Sequence, residues 1–234
     1  MAGANSTGSV TMQVSEAVAS RRSVRGFLPD PIDGAVIRRV LDRAARAPSG
    51  GNVQPWHVDV VAGEPLAALK AIMLRRVQEA PGGEPTEYDI YPKVLPDRHK
   101  TYRFEVGEDL YGTLGIPRDN KLGRLLWFAR NFQFFGAPVA LFTSIDRAMG
   151  SPQWSDLGMY LQTVMLLLRE EGLDSCAQEC WAVYPDTVRT FLDLPPERML
   201  FCGMAIGIAD AADPANAVRT RRAPVDAFTT FRGI

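Results

Sequence analysis

Pro48-Ser49-Gly50-Gly51-Asn52-Val53-Gln54-Pro55-Trp56-His57 separates a helical period from a β-branched run. Upstream, apolar residues recur at Val36, Ile37, Val40, Leu41 and Ala44, one face of a helix that Asp33 can cap and that runs through Ala47 until Pro48 ends it. Downstream, Trp56 to Ala62 carries Val58, Val60 and Val61, the composition of a strand. A helix thus hands over to a strand through a loop rich in glycine, amide and hydroxyl groups, and a single α/β or α+β domain is the default architecture.

The same alternation continues outward. Pro65 opens a helix through about Glu79. Residues 80–119 read as irregular, broken by prolines and glycines from Pro81 to Pro117, and they carry Tyr88, Tyr91, Tyr102, Phe104 and Tyr111. A long aromatic-rich segment of this kind serves as a functional lid or as an excursion onto a partner. Helical spacing returns at Leu122, Leu125, Leu126, Ala129 and Phe132, stops at Gly136, and gives way to a buried strand at Val139 to Thr143.

Ser151-Pro152 signals the N-cap and first turn of the most hydrophobic helix, and Gly172 stops it. Its apolar side chains from Leu157 to Leu168 cover most of the circumference, as expected of burial in the core or against another subunit. Strand-like Leu173 to Ala177, helix-like Pro185 to Leu192 and strand-like Met199 to Ile208 complete the domain. A C-terminal arm, about 213–234, has little periodicity and needs a surface to lie on. Residues 1–13 read as a flexible leader and 14–234 as one domain.

Composition fits one ordinary globular unit: 234 residues, 46% hydrophobic, 23% charged and a formal net charge of −1. That balance gives no global pull toward nucleic acid or an anionic membrane, and no apolar stretch approaches the ~20 residues needed to span a bilayer. Cys176, Cys180 and Cys202 lack paired Cys-x-x-Cys spacing, which points away from zinc and toward a reduced, cytoplasmic setting. With only His57 and His99, no His-x-x-x-His helix and no nucleophile elbow, hydrolytic and histidine-based metal chemistry have no support. No metal site is expected. Neither a G-x-G-x-x-G nor a G-x-x-x-x-G-K-[ST] cradle is present, so a nicotinamide, if used, visits transiently.

Local chemistry is more telling. Arg21, Arg22, Ser23 and Arg25 offer guanidinia and a hydroxyl that match phosphate oxygens, although a solvated basic turn reads equally simply. Asn52 carries both an amide donor and an acceptor, the pairing needed by the edge of a flat heteroaromatic ring, and Gly50 and Gly51 let backbone approach it. Amides that cap the preceding helix are the alternative. Gln54 fits a loop brace as well as a ligand contact, and Trp56 and His57 fit packing positions.

These two segments resemble those of the FMN-dependent nitroreductase family, in which an Arg-x-Ser-x-Arg/Lys stretch and an Asn-x-Gln-Pro-Trp loop hold the flavin mononucleotide. The resemblance spans Ser20 to about Phe228, with a third motif at Cys176-Ala177-Gln178-Glu179-Cys180-Trp181, which is similar to the family's Pro-x-Glu-Gly. Ala177 stands for the Pro and Cys180 for the Gly, departures that invite a catalytic role for Cys180; a small buried side chain is the plainer reading. Arg222, followed by Ala-Pro, matches the family's C-terminal phosphate-binding arginine, with Arg219 and Arg221 as neighbours.

The resemblance implies an α+β fold with a central mixed sheet flanked by helices, in an intertwined homodimer with exchanged C-terminal arms and the flavin at the interface. It implies FMN as cofactor, NADPH or NADH as transient donor, and a nitroaromatic, quinone or small aromatic acceptor reduced in ping-pong order. The implied cofactor-binding residues are Arg21, Arg22, Ser23, Arg25, Pro48, Ser49, Gly50, Asn52, Gln54, Gln178, Glu179, Arg219 and Arg222, with catalysis carried by flavin N5 and by no side chain. Alternatives on the same fold are a flavin-dependent dehalogenase or dehydrogenase and a flavin-cleaving enzyme; a non-catalytic flavin-binding protein is the alternative of another class.

Overall fold

A computed structural model describes residues 12–234, so the expected leader lies almost wholly outside the described residues. Four strands form one sheet in the order β1-β2-β4-β3: β1 (His57–Ala62), β2 (Val139–Asp146), β3 (Asp174–Gln178) and β4 (Arg198–Gly207). All three ladders are antiparallel. Where the family resemblance implied a mixed sheet, parallel pairing among the described residues is limited to an isolated bridge between Ser23 and Ser175.

Helices close both faces. On one side α2 (Gly34–Ala44) and α6 (Ser151–Glu170) pack through Ile37, Val40, Leu157, Val164 and Leu168 onto Val139, Leu141 and Ile145 of β2. On the other, α3 (Gly63–Glu79), α5 (Lys121–Ala129) and the 3-10 turn that follows set Leu69, Met73, Trp127 and Phe134 against Ala140 and Phe142. Alternate residues of β2 thus feed two separate cores, as the period of two requires. α1 (Val14–Ser20) lies on α6, and α7 (Pro185–Leu192) lies on β4.

In β4 the alternation slips once. Leu200 points to one core and Cys202 to the other side with Met204 and Ile206, because the register shifts opposite Thr143 and Ser144 and leaves Phe201 as the extra residue of a bulge. The Phe201 carbonyl accepts a hydrogen bond from the Tyr88 hydroxyl, which secures the start of the lid to the sheet.

The cap of α2 is Asp33, whose Oδ1 accepts from Ala35 N at 2.8 Å, and the helix ends at Ala44, one turn before Pro48. α6 begins one residue earlier than the Ser-Pro signal implied, with Gly150 at the N-cap and Gln153 Oε1 accepting from Gly150 N at 3.1 Å. The largest correction concerns 80–119. Its second half is a helix, α4 (Asp97–Thr113), running from Pro96 to the left-handed Gly115. Sequence periodicity missed it because none of its residues is buried and it has no continuous apolar stripe. Gly107 and Gly112 each cost about 1 kcal/mol relative to Ala, which a helix free of internal proline tolerates.

The C-terminal arm lies along α4. Arg98 Nη1 donates to Ala227 O at 2.7 Å, and Arg221 Nη2 sits 3.3 Å from Asp109 and 3.6 Å from Glu105. Phe228 and Phe231 remain exposed.

Candidate active site

From Arg21 the chain runs extended beside β3, with Val24 N donating to Ser175 O at 3.1 Å. Val24 is fully buried, so the alternation of extended backbone turns Ser23 and Arg25 to the opposite side. Arg21, Ser23 and Arg25 surround the Cys176 thiol, which burial pushes up and these groups pull down. Arg22 points elsewhere. Its guanidinium pKa is lowered by burial first and then by the charge of Arg219, and its Nε is buried without a hydrogen-bond partner among the described residues. Asp174, the carboxylate nearest this pair of arginines, is taken by Arg169 at 2.6 Å. An anion beside this pair would offset the repulsion and satisfy the orphan donor.

The arm completes the cationic wall. Asn216, only 4% exposed, accepts from Arg25 N at 2.7 Å, and its carbonyl accepts from Arg219 Nη1 at 2.8 Å. Arg222 Nη1 bonds Thr220 Oγ1 at 2.6 Å and lines, together with Ser23, a cleft of about 1050 Å³. Tyr91, Tyr102, His99 and Arg103 line the same cleft. Phosphate-type cations and flat rings therefore open onto one space.

The Ser49–Gln54 loop is a tight turn in which Gly51, Asn52 and Gln54 all have positive φ, at 57°, 59° and 50°. Two of these are not glycine. Such conformations cost on the order of 1–3 kcal/mol each and persist only where surrounding contacts impose them. Here Gln54 N donates to Ser49 Oγ at 3.0 Å, Gln54 Nε2 to Asn52 O at 3.2 Å, and Gly50 N to Asp156 Oδ2 at 3.2 Å. Gln54 is a loop brace. None of these groups caps α2, and the side-chain amide of Asn52 makes no hydrogen bond among the described residues and is exposed. Pro48 and Gly50 are exposed beside it. Trp56 stacks on Tyr160 with centroids 4.7 Å apart, a packing role.

At the end of β3, Gln178 is buried, its Nε2 donating to Asn131 O at 2.8 Å, so its side chain is committed to the interior. Ala177 and Glu179 face the open side. Burial raises the thiol pKa of Cys180, and pushes that of Cys202 up to about 12; both are free, protonated thiols, which argues against a nucleophilic Cys180.

One chain sets Arg21, Ser23 and Arg25 about Cys176, Arg22 beside Arg219, and Ser23 with Arg222 on one cleft, while the Asn52 loop docks elsewhere. The loop docks at Asp156 near the start of α6, whereas Arg22 lies near Arg169, thirteen positions on and hence about 20 Å along the helix axis. Sequence reading missed Asp156 and Asn216. An acid inside the most apolar helix was a usable signal for the first; nothing marked the second.

Comparison with known proteins decides the family. The sequence matches the model of the nitroreductase family over residues 18–208. This chain belongs to the nitroreductase family. The present nitroreductase is 38% identical over 216 residues to a 4-nitrobenzoate reductase of Pseudomonas putida, covering 92% of this chain and 94% of that one. Its fold superposes with a TM-score of 0.91 and 49% identity on an FMN and NADPH-dependent nitroreductase, NfnB, from Sphigopyxis sp. strain HMH, covering 95% and 100% of the two chains. The FMN-dependent NfnB of Mycobacterium smegmatis, solved in complex with NADPH, gives 0.89 and 31%, over 94% and 98%. Among the described residues of this nitroreductase, no helix is long and apolar enough to cross a membrane.

Proposed function

We propose that this nitroreductase binds FMN and reduces nitroaromatics, quinones or related acceptors with NADPH or NADH, donor and acceptor using one cleft in turn. The observation that carries the reading is the cleft itself, which joins Ser23 and Arg222 to Tyr91 and Tyr102. The residues suit the cofactor: an unpartnered Arg22 Nε and the crowded Arg22–Arg219 pair call for an anion, and the free Asn52 amide offers donor and acceptor to a ring edge. When bound, FMN supplies the two-electron carrier that no side chain of the chain provides.

The chain's own residues position and discriminate. Arg21, Ser23, Arg25, Arg219 and Arg222 hold the phosphate, with Arg22 adding its charge from the other side of the segment; Pro48, Ser49, Gly50 and Asn52 present loop backbone and amide to the ring, with Gln54 bracing them. Gln178 and Glu179 contribute through backbone at the end of β3. Tyr91 and Tyr102 give flat acceptors stacking surface. Whole-length relatives named as reductases favour this reading over a dehalogenase, a flavin-cleaving enzyme or a carrier without turnover. Three free thiols suit a cytoplasmic setting.

The functional unit is a homodimer. The loop hangs on Asp156 and Arg22 lies near Arg169, points about 20 Å apart along α6, more than the ribityl chain between a flavin's ring and its phosphate spans. A twofold axis that sets two α6 helices antiparallel brings the loop of one subunit to the arginines of the other. Exposed Leu122, Leu125, Leu126, Phe228 and Phe231 supply apolar surface for such a contact. Steady-state turnover with varied donor and acceptor tests the shared cleft: parallel double-reciprocal plots support it, and intersecting plots with a directly detected ternary complex refute it.

A further inference from the structure

The cationic segments at the two ends of the chain repel one another, and something must hold them in register without consuming their charge. We infer that Asn216 is the positioning residue of the phosphate cradle. It rests on the FMN reading above. Three of the four hydrogen-bonding valences of the buried amide are used on backbone, both donors among them: Oδ1 accepts from Arg25 N at 2.7 Å, and Nδ2 donates to Gly26 O at 2.8 Å and to Asp210 O at 2.9 Å. The side chain therefore acts as a peptide unit between two extended segments that are themselves paired by the isolated Phe27–Ala209 bridge and by Leu28 N to Ile208 O at 2.9 Å.

Its own carbonyl then orients the second segment, through Arg219 Nη1 at 2.8 Å. Asn216 thus fixes Arg25 by its side chain and Arg219 by its main chain, across 191 residues of sequence in the first case. The fit around it is close: Asp210 N shares the Gly26 carbonyl at 2.9 Å, and a Cβ at position 26 would lie 2.3 Å from Asp213 Oδ2. Asp213 is in turn held by Arg130 at 3.0 Å.

An amide is the chemically required choice. A carboxylate in its place accepts the Arg25 bond but neutralises the arginines and competes with a phosphate dianion, while an aliphatic residue leaves buried backbone groups unpaired. Asn216 does not touch the flavin ring on this account, so its effect is confined to the phosphate.

Titration of apoprotein with FMN and with riboflavin, followed by flavin fluorescence, isolates that effect. In Asn216→Ala, FMN affinity falls tenfold or more while riboflavin affinity changes less than threefold; Asn216→Asp gives the same split. Equal losses for both flavins, or no loss for FMN, overturn the inference. If neither variant folds, hydrogen exchange on the unaltered protein decides: FMN must protect residues 24–27 and 213–219 together and more than riboflavin does, and equal protection by the two flavins overturns it. Failure of the unaltered protein to bind either flavin sinks the FMN reading instead.

Discussion

The backbone amide of Gly50 donates to Asp156 Oδ2 across 3.2 Å, and this single bond joins the exposed loop of Asn52 to the most buried helix of the chain. Asp156 is 4% exposed in the first turns of α6, and nothing in α6 requires an acid there. Its role is to hold a turn whose φ angles at Asn52 and Gln54 are otherwise unfavourable.

Asp156→Ala is therefore expected to destabilise the protein by about 1–2 kcal/mol, the cost of the lost bond that holds the turn, since the exposed Gly50 amide can turn to water. FMN and riboflavin affinities should fall together, since the loop addresses the ring and leaves the phosphate alone. Urea unfolding and parallel flavin titrations measure both; a loss selective for FMN contradicts the loop's assignment.

The lid aromatics divide into two kinds. Tyr91 and Tyr102 line the cleft, whereas Tyr111 packs edge-on against Trp127 with Arg124 over its ring at 4.3 Å, and Tyr88 is packed among Trp154 and Phe201. Tyr102→Ala should lower acceptor kcat/KM severalfold and leave stability and FMN affinity nearly unchanged. Tyr111→Ala should do the reverse, costing about 2–3 kcal/mol of stability. Steady-state kinetics beside thermal unfolding separates them, and equal kinetic effects of the two changes refute the division.

The thiols give a pH signature. Cys202 keeps its proton up to about 12 in the folded chain against 9.0 for the free group, and burial shifts Cys176 and Cys180 in the same direction. The folded state thus binds more protons than the unfolded state above the unfolded pKa, so their contribution is fully present below pH 9 and is lost as pH rises from there through about 12. Stability measured against pH should decline over that alkaline window, and Cys202→Ala should flatten the decline. Cys180→Ser should leave turnover within about twofold, because a thiol held protonated is no nucleophile. Rapid inactivation at neutral pH by a thiol reagent, prevented by that substitution, contradicts this.

Much of this architecture was legible in the residues. Alternation and helical period located β1, β2, β4, α2, α6 and α7 to within a few residues, because each buries a face whose apolar spacing is imposed by its geometry. α4 was not legible, since a helix with no buried residue leaves no spacing to read. The arginines, Ser23 and the loop stood out by chemical type. Their supports did not: Asn216 and Asp156 act through backbone groups distant in sequence, and such bonds leave no local pattern.

On the proposed function, electrons pass from a nicotinamide to a nitroaromatic through an FMN held at this cleft. Mixing the purified, FMN-loaded protein anaerobically with NADPH alone, and adding a nitroaromatic only after the nicotinamide is removed, tests it most directly. The flavin absorbance should bleach with the donor alone and return in full with the acceptor. A flavin that neither NADPH nor NADH bleaches, or that a nitroaromatic fails to restore, contradicts it.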